Sequence, residues 1–265
     1  MRFFTILLLS IFLISCEKTF TYNANEIQID EKDKDQNTKN LERLRSTPEN
    51  GSFNFVVIAD TQRFYEELDD LVEKLNSYPD ISFVVLNGDM TDFGLRSEYV
   101  WISHRLQKLS VPFLVVIGNH DMLGNGRELY KQMYGPENFG FSFSDHKFII
   151  LNSNSQEVGH NGSLPDTTWL QQELAATPSQ QKIFIISHIA PFSGDFDRSL
   201  EQSYVSMLVK NGNVIYSIHG HDDISYLGQP YGPPVNYLMV NSIHERSFVL
   251  IKINPTNTEV EKIFF

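Results

Sequence analysis

Cysteine is nearly absent from this chain: Cys16 is the only one in 265 residues. With no partner cysteine, an exported chain builds no intrachain disulfide framework. A basic tract is absent as well. Lys and Arg number 21 against 33 Asp and Glu, giving a formal net charge of −12, and the cations are scattered. Binding a nucleic-acid backbone wants a cationic stripe, so nucleic acid is set aside as the main partner. No internal repeat is visible. The apolar stretch at residues 6–14 is too short for a comfortable transmembrane span.

What the chain does have at its start is a targeting pattern. Arg2 gives a positive start, residues 6–14 an apolar core, and Ser15 a small residue before Cys16, the layout of a secretory signal. The run Leu13-Ile14-Ser15-Cys16 resembles the bacterial lipoprotein signal, in which the cysteine becomes the lipidated first residue. That resemblance implies a signal peptide at 1–15, lipid on Cys16, and an exported, membrane-anchored lipoprotein of a bacterial cell envelope. An ordinary signal peptide and a buried apolar helix are the plainer readings. Residues 16–52 then read as a disordered tether, dominated by Asn, Asp, Lys, Glu, Gln and Thr, with Glu31-Lys32-Asp33-Lys34-Asp35 at its centre. Such a stretch has too little apolar surface to offset the entropy of ordering it.

Residues 53–265 have the length of one large domain. Residues 63–76 place Phe64, Leu68, Leu71, Val72 and Leu75 on one helical face, and 97–108 repeat this with Tyr99, Ile102 and Leu106. Strands alternating with such helices imply parallel pairing. Residues 140–144 and 147–153 flank Asp145-His146 as a hairpin, and Asp166 reads as the cap of a helix carrying Trp169, Leu170 and Leu174. The C-terminal stretch reads as strands at 224–227, 235–240, 247–253 and 259–264, punctuated by Pro230, Pro233 and Pro234.

Five apolar runs each end in groups able to bind metal or move protons. Phe53-Asn54-Phe55-Val56-Val57-Ile58 leads to Ala59-Asp60-Thr61-Gln62, and Phe83-Val84-Val85-Leu86 leads to Gly88-Asp89-Met90-Thr91-Asp92. Phe113-Leu114-Val115-Val116-Ile117 empties into Gly118-Asn119-His120-Asp121. Ile183-Phe184-Ile185-Ile186 ends in Ser187-His188, and Val214-Ile215-Tyr216-Ser217-Ile218 in His219-Gly220-His221-Asp222-Asp223. The C-terminal ends of strands are where open α/β sheets build their sites. These ligand types suit two divalent metals sharing a carboxylate. Buried carboxylates at Asp60 and Asp89 would demand a metal or a salt bridge in answer.

In this order, the blocks resemble the calcineurin-like metallophosphoesterase superfamily, whose motifs run D-x-H, G-D-x-x-D, G-N-H-D, an isolated H and G-H-x-H. The resemblance covers residues 53–265. It implies an α/β fold, a four-layer α/β/β/α sandwich with two mixed sheets flanked by helices. It also implies a phosphoric ester hydrolase with two divalent ions (Mn, Fe, Zn or Mg) and a bridging hydroxide that attacks phosphorus. Carried over by position, site one is Asp60, Gln62, Asp89 and Asp223. Site two is Asp89, Asn119, His188 and His221, with Asp89 shared. His120 becomes the acid for the leaving group, oriented by Asp92, while His219 and Asp121 stand behind the ligands. Gln62 and Asp223 depart from the pattern where the family has histidine. Site one is thereby all-oxygen, weaker, and tilted toward Mn²⁺ or Mg²⁺.

Plainer roles stay open residue by residue. Asn119 could shape a turn, His188 could be a core histidine, Asp223 could cap a turn beside Asp222, and Gln62 could hold a water. His219 and His221 also form an H-x-H, so a register with both as ligands is the rival. Tyr65, Asn125, Asn152 and Asn154 neighbour the motifs as candidate pocket walls, whereas His104, His146, His160 and His244 read as surface or structural. The expected substrate is a small phosphate ester, monoester or diester, which the net negative charge does not exclude because bound metal supplies local positive charge. Two rivals are carried forward: a nucleotide or nucleic-acid phosphodiesterase, and a non-enzymatic surface lipoprotein with a degenerate metal site.

Overall fold

Alternation within the apolar runs decides the layering. In β1 (Phe53–Ile58), Phe55 and Val57 point to one side and Val56 and Ile58 to the other, as side chains must along a strand. Both sides are buried, which is why the run has almost no polar face. The computed structural model describes residues 23, 25–49 and 51–265. The expected signal peptide and Cys16 lie outside the described residues.

One sheet has five strands in the order β11-β10-β1-β2-β3 and the other six in the order β4-β5-β6-β7-β9-β8. In the first, β1, β2 (Ile81–Asn87) and β3 (Phe113–Val116) run parallel, while β10 (Ser247–Ile253) and β11 (Thr258–Phe264) continue it antiparallel. In the second, β5 (His146–Ile150), β6 (Lys182–Ile186), β7 (Val214–His219) and β9 (Asn236–Met239) are parallel. The edges β4 (Phe139–Phe143) and β8 (Tyr226–Gly228) are antiparallel.

Helices α2 (Tyr65–Ser77), α3 (Arg96–Leu106) and α4 (Gly126–Tyr134) cover the outer face of the first sheet through Leu71, Ile102, Tyr130 and their neighbours. Helices α5 (Thr167–Ala176) and α6 (Arg198–Asn211) cover the second through Leu170, Leu174, Tyr204 and Leu208. Asp166 caps α5 as its position suggested, accepting from Trp169 N. The result is the expected four-layer arrangement of two mixed sheets between helices.

Phenylalanine fills the space between the sheets. Phe55 stacks on Phe83 with ring centroids 5.1 Å apart, and Phe148 on Phe184 at the same 5.1 Å. The two pairs meet edge to face across the interface, Phe55–Phe148 and Phe83–Phe148 both at 5.3 Å. Burying each such ring contributes about 1.5–3 kcal/mol, with edge-to-face geometry adding to it.

The tether expected at 16–52 is corrected over residues 25–49. Helix α1 (Gln36–Arg45) packs along β3, the outermost strand of the first sheet, and its asparagines act as a substitute strand. Asn37 Nδ2 donates to Val115 O at 2.9 Å, and Val115 N donates to Asn37 Oδ1 at 2.8 Å. Asn40 Oδ1 accepts from Phe113 N at 3.1 Å, and Leu44 reaches the inter-sheet core. Composition misled here because these polar side chains satisfy an exposed sheet edge rather than water.

Candidate metal centre

Parallel strands deliver their C-terminal ends to one edge of each sheet, and the loops leaving them are knitted together there. Asp60 N donates to Gly88 O at 3.1 Å, Thr61 N to Asp89 O at 2.9 Å, and Gly220 N to His188 O at 3.0 Å. Asp60, Asp89, His221 and Asp223 all hold left-handed backbone, with φ of 53°, 54°, 70° and 53°. Such conformations cost of order 1–3 kcal/mol each in non-glycine residues and gather at functional sites. The motif glycines are needed for close approach. Gly88 has φ +86° and a Cβ there would fall on the His188 ring, while a Cβ on Gly118 would overlap the Asp89 carboxylate.

Asp89, His188 and His221 offer ligand atoms that all lie within 4.8 Å of one another. His188 Nδ1 donates to Asn87 O at 2.8 Å, which turns Nε2 inward, 3.2 Å from Asp89 Oδ2 and 4.0 Å from Asp60 Oδ1. His221 Nδ1 lies 3.1 Å from Asn119 Oδ1, and its backbone N donates to Asp60 Oδ2 at 3.2 Å. All four residues expected for site two are therefore together. In site one, Asp60 is buried and Gln62 Oε1 is buried too. Asp223 is exposed, with Oδ1 accepting from Ser242 N at 3.0 Å.

The charges explain what this cluster wants. Burial drives the Asp60 carboxyl up to about 7; His188 opposes the shift and Asp89 reinforces it. Burial also pushes Asp89 up, but His188 and His120 outweigh it and hold Asp89 below the usual carboxylate range. Burial pulls His188 down, yet Asp89 and Asp60 lift it to about 10. A proton on that imidazole answers one carboxylate, whereas a divalent cation would answer both. His188 Nε2 and Gln62 Oε1 are buried without a hydrogen-bond partner among the described residues, as atoms awaiting a ligand would be. Asp89, His188 and His221, with Asp60 beside them, fit a divalent metal.

The supporting groups differ from expectation in several places. The carboxylate of Asp92 does not orient His120. Arg63 takes it, with Nε 3.1 Å from Oδ1, and His120 Nδ1 instead donates to the Asp92 carbonyl at 2.9 Å. Asp121 accepts from Gly118 N at 2.9 Å and Thr91 N at 3.0 Å, binding two ligand loops together. Burial and Asp89 raise the Asp121 carboxyl to about 7 despite those bonds. Both ring nitrogens of His219 are taken up by serine groups. Its Nδ1 donates to Ser187 O at 3.1 Å, its Nε2 accepts from Ser217 Oγ at 2.9 Å, and burial drives it down to about 3. The rival H-x-H register is thereby overturned.

A cavity of about 270 Å³ opens over the cluster, lined by Asp60, Gln62, His120, His221 and Asp223 with Arg63, Phe64, Ser242 and His244. The expected wall residues are elsewhere. Asn152 and Asn154 are buried, donating to Glu137 Oε2 at 2.8 Å and Ile117 O at 3.0 Å. Tyr65 packs on Trp101 at 5.7 Å, and Asn125 caps no pocket but faces Asn25 O at 3.4 Å. His104 pairs with Asp33, His146 with Ser144 O and His160 with Asp195 O, as structural residues would.

Sequence reasoning missed Arg63, Phe64, Asp195, Ser242 and His244. Asp195 Oδ2 accepts from His221 Nε2 at 2.8 Å, which fixes the ring and leaves Nδ1 toward Asn119. Ser242 Oγ donates to Asp60 O at 3.0 Å. A signal existed for Ser242 and His244: they follow β9, which is parallel to β7 and so opens at the same edge.

Comparison with known proteins agrees with this geometry. The family profile described as calcineurin-like phosphoesterase matches residues 53–224. A protein of Arcobacter nitrofigilis named a probable glycerophosphodiester phosphodiesterase is 31% identical over 123 residues, 44% of each chain. One of Rhodopseudomonas palustris named a probable cyclic nucleotide phosphodiesterase is 27% identical over 161 residues, 52% of this chain and 57% of that one. The chain thus spans about half the length of the curated relatives it matches. A dimetal phosphatase from Danio rerio superposes with a TM-score of 0.65 at 16% identity, over 79% of this chain and 95% of that one, a likeness of fold.

Proposed function

We propose, from the premise that this chain belongs to the calcineurin-like phosphoesterase family, that it is a metal-dependent phosphoric ester hydrolase acting on small phosphodiesters. The observation that carries the reading is the convergence of Asp89, His188 and His221 beneath a cavity that also exposes His120. Asp60, Gln62, Asp89 and Asp223 would hold one divalent ion, and Asp89, Asn119, His188 and His221 the other. Bound there, the ions supply Lewis-acid charge to the phosphoryl oxygens and an activated water.

The chain's own groups do the rest. His120 keeps its Nδ1 proton on the Asp92 carbonyl, so Nε2 is the atom left to hand a proton to a departing alkoxide. Burial pulls His120 down, but the Asp92 carbonyl and the charges of Asp89 and Asp121 raise it above the ordinary imidazole value, favouring the protonated acid. Two considerations support diesters over monoesters. The relatives are named phosphodiesterases of glycerophosphodiesters and cyclic nucleotides. Apart from metal, Arg63 is, among the described residues, the only Lys or Arg side chain lining the cavity, against Asp60 and Asp223, and a monoanion suits that surround better than a dianion.

The test is turnover of bis(4-nitrophenyl) phosphate and 4-nitrophenyl phosphate by protein loaded with Mn²⁺, with metal content measured in parallel. A preference of about tenfold or more for the diester is expected. No hydrolysis at full metal loading would sink the enzyme reading, and preference for the monoester would sink the diester assignment.

A further inference from the structure

We propose that Phe64 and His244 form a leaving-group subsite for a planar heteroaromatic ring of the kind a nucleoside carries; this rests on the phosphoesterase reading above. The two rings stand on the wall of the same cavity that exposes His120, the group placed to protonate the leaving oxygen. They are stacked on each other, centroids 4.8 Å apart at an interplanar angle of 27°. Phe64 is half-buried against the core beneath the helices of the first sheet, so it is a fixed backing. His244 is exposed, yet it is not free to wander.

Its backbone is tied, through Ser242, to the Asp60 carbonyl and the Asp223 carboxylate, both from residues proposed as ligands. His244 N donates to Ser242 Oγ at 3.2 Å, and Ser242 in turn donates to Asp60 O at 3.0 Å and through its N–H to Asp223 Oδ1 at 3.0 Å. These bonds hold the His244 backbone beside the site, and stacking on Phe64 holds its ring. Its side-chain nitrogens make no hydrogen bond among the described residues. An exposed ring that is already ordered, backed by a second ring and beside a reaction centre suits stacking with a ligand. The cost of ordering that surface is met before the ligand arrives. Aromatic faces accept any nucleobase because every base has a π-face. An aliphatic alcohol such as glycerol gains little from such a wall.

The test uses full-length protein loaded with Mn²⁺ and two esters that both release a primary alkoxide, the methyl phosphodiesters of adenosine (at its 5′-hydroxyl) and of glycerol. The ratio of kcat/KM for adenosine over glycerol should favour adenosine. It should fall about tenfold in His244→Ala, chiefly through KM, and recover in His244→Phe, since stacking needs a ring and not its nitrogens. Saturation-transfer NMR gives a readout without turnover: adenosine alone should show contacts at its base protons, lost in His244→Ala. A ratio within twofold of wild type in His244→Ala would overturn the subsite, as would His244→Phe falling as far as His244→Ala. Efficient hydrolysis of both esters without preference would also overturn it while leaving the phosphoesterase reading intact. Failure to hydrolyse either ester or bis(4-nitrophenyl) phosphate would overturn that reading, and the subsite with it.

Discussion

Arg63 holds the carboxylate of Asp92 through Nε, 3.1 and 3.2 Å from its two oxygens, and through Nη2 as well. The same residue's carbonyl, not its carboxylate, receives the Nδ1 proton of His120. The arginine side chain is 62% exposed, so the pair itself contributes little stability. What it does is hold the loop from which the carbonyl projects.

Asp92→Asn should therefore be mild, because the backbone carbonyl survives the change; a loss in kcat of less than about tenfold is expected. His120→Asn should lose about 10²–10⁴-fold on alkyl leaving groups and far less on nitrophenyl ones. A leaving-group series on both variants checks this. If Asp92→Asn loses as much as His120→Asn, the carboxylate is what orients the imidazole after all.

The ion-free protein should become less stable as pH rises. His188 is lifted to about 10 in the fold, so its contribution is complete below its ordinary value of 6.5 and is lost as pH climbs through 10. Asp60 is lifted from 3.8 to about 7, so the fold binds its proton more tightly than the unfolded chain does, and stability falls across that interval. Metal held by these two residues would need Asp60 ionised and His188 neutral, so the Tm gap between Mn²⁺-loaded and chelator-treated protein should widen from about pH 5.5 to about pH 9. A constant gap would count against both residues as ligands.

Gly118→Ala should damage the centre without replacing any candidate ligand. A Cβ there would lie 2.9 Å from Asp89 Cα and closer still to the Asp89 carboxylate, which also accepts from His120 N at 3.0 Å. The expected result is loss of metal retention with destabilisation of roughly 1–3 kcal/mol. Gly194→Ala, whose Cβ would meet nothing within 4 Å, is the control. Elemental analysis and thermal melts of the two variants would separate the outcomes.

The strand-end motifs were legible because each is local: an apolar run and the few residues after it. That is how Asp60, Asp89, Asn119, His188 and His221 could be named before any geometry. What the motifs could not carry was the direction of a side chain. His219 and His221 look equivalent in sequence, yet His219 is the last residue of β7 and stacks on Tyr237, with ring centroids 6.1 Å apart, whereas His221 lies beyond the strand in left-handed backbone, φ 70°, which breaks the strand's alternation. His244 was passed over because it belongs to no motif; only the parallel placement of β9 beside β7 brings it to the site. Helix α1 was hidden for another reason. Its asparagines resemble those of a solvated linker, and the strand edge that they satisfy lies more than seventy residues away in sequence.

Asn37→Ala tests that edge. It would leave the N–H of Val115 unpaired on its outer side, costing about 1–3 kcal/mol if water cannot replace the amide, while the Val115 carbonyl keeps the Tyr130 hydroxyl at 2.7 Å. Urea melts should show the loss. Size-exclusion chromatography at rising concentration should show new association through the bared strand. An unchanged melt would mean that the amide pairing contributes nothing to the fold.

The candidate ligands come from both sheets: Asp60, Gln62, Asp89 and Asn119 follow strands of the first, and His188 and His221 follow strands of the second. A metal pair bound among them would act as a clasp across the phenylalanine interface. Any sliding of one sheet over the other would then alter ligand distances directly. The affinity for metal would report on the packing of Phe55, Phe83, Phe148 and Phe184, rings that touch no ion. Conversely, each ion bound would resist separation of the sheets, so the two halves of the sandwich should unfold as one unit when loaded and less cooperatively when stripped.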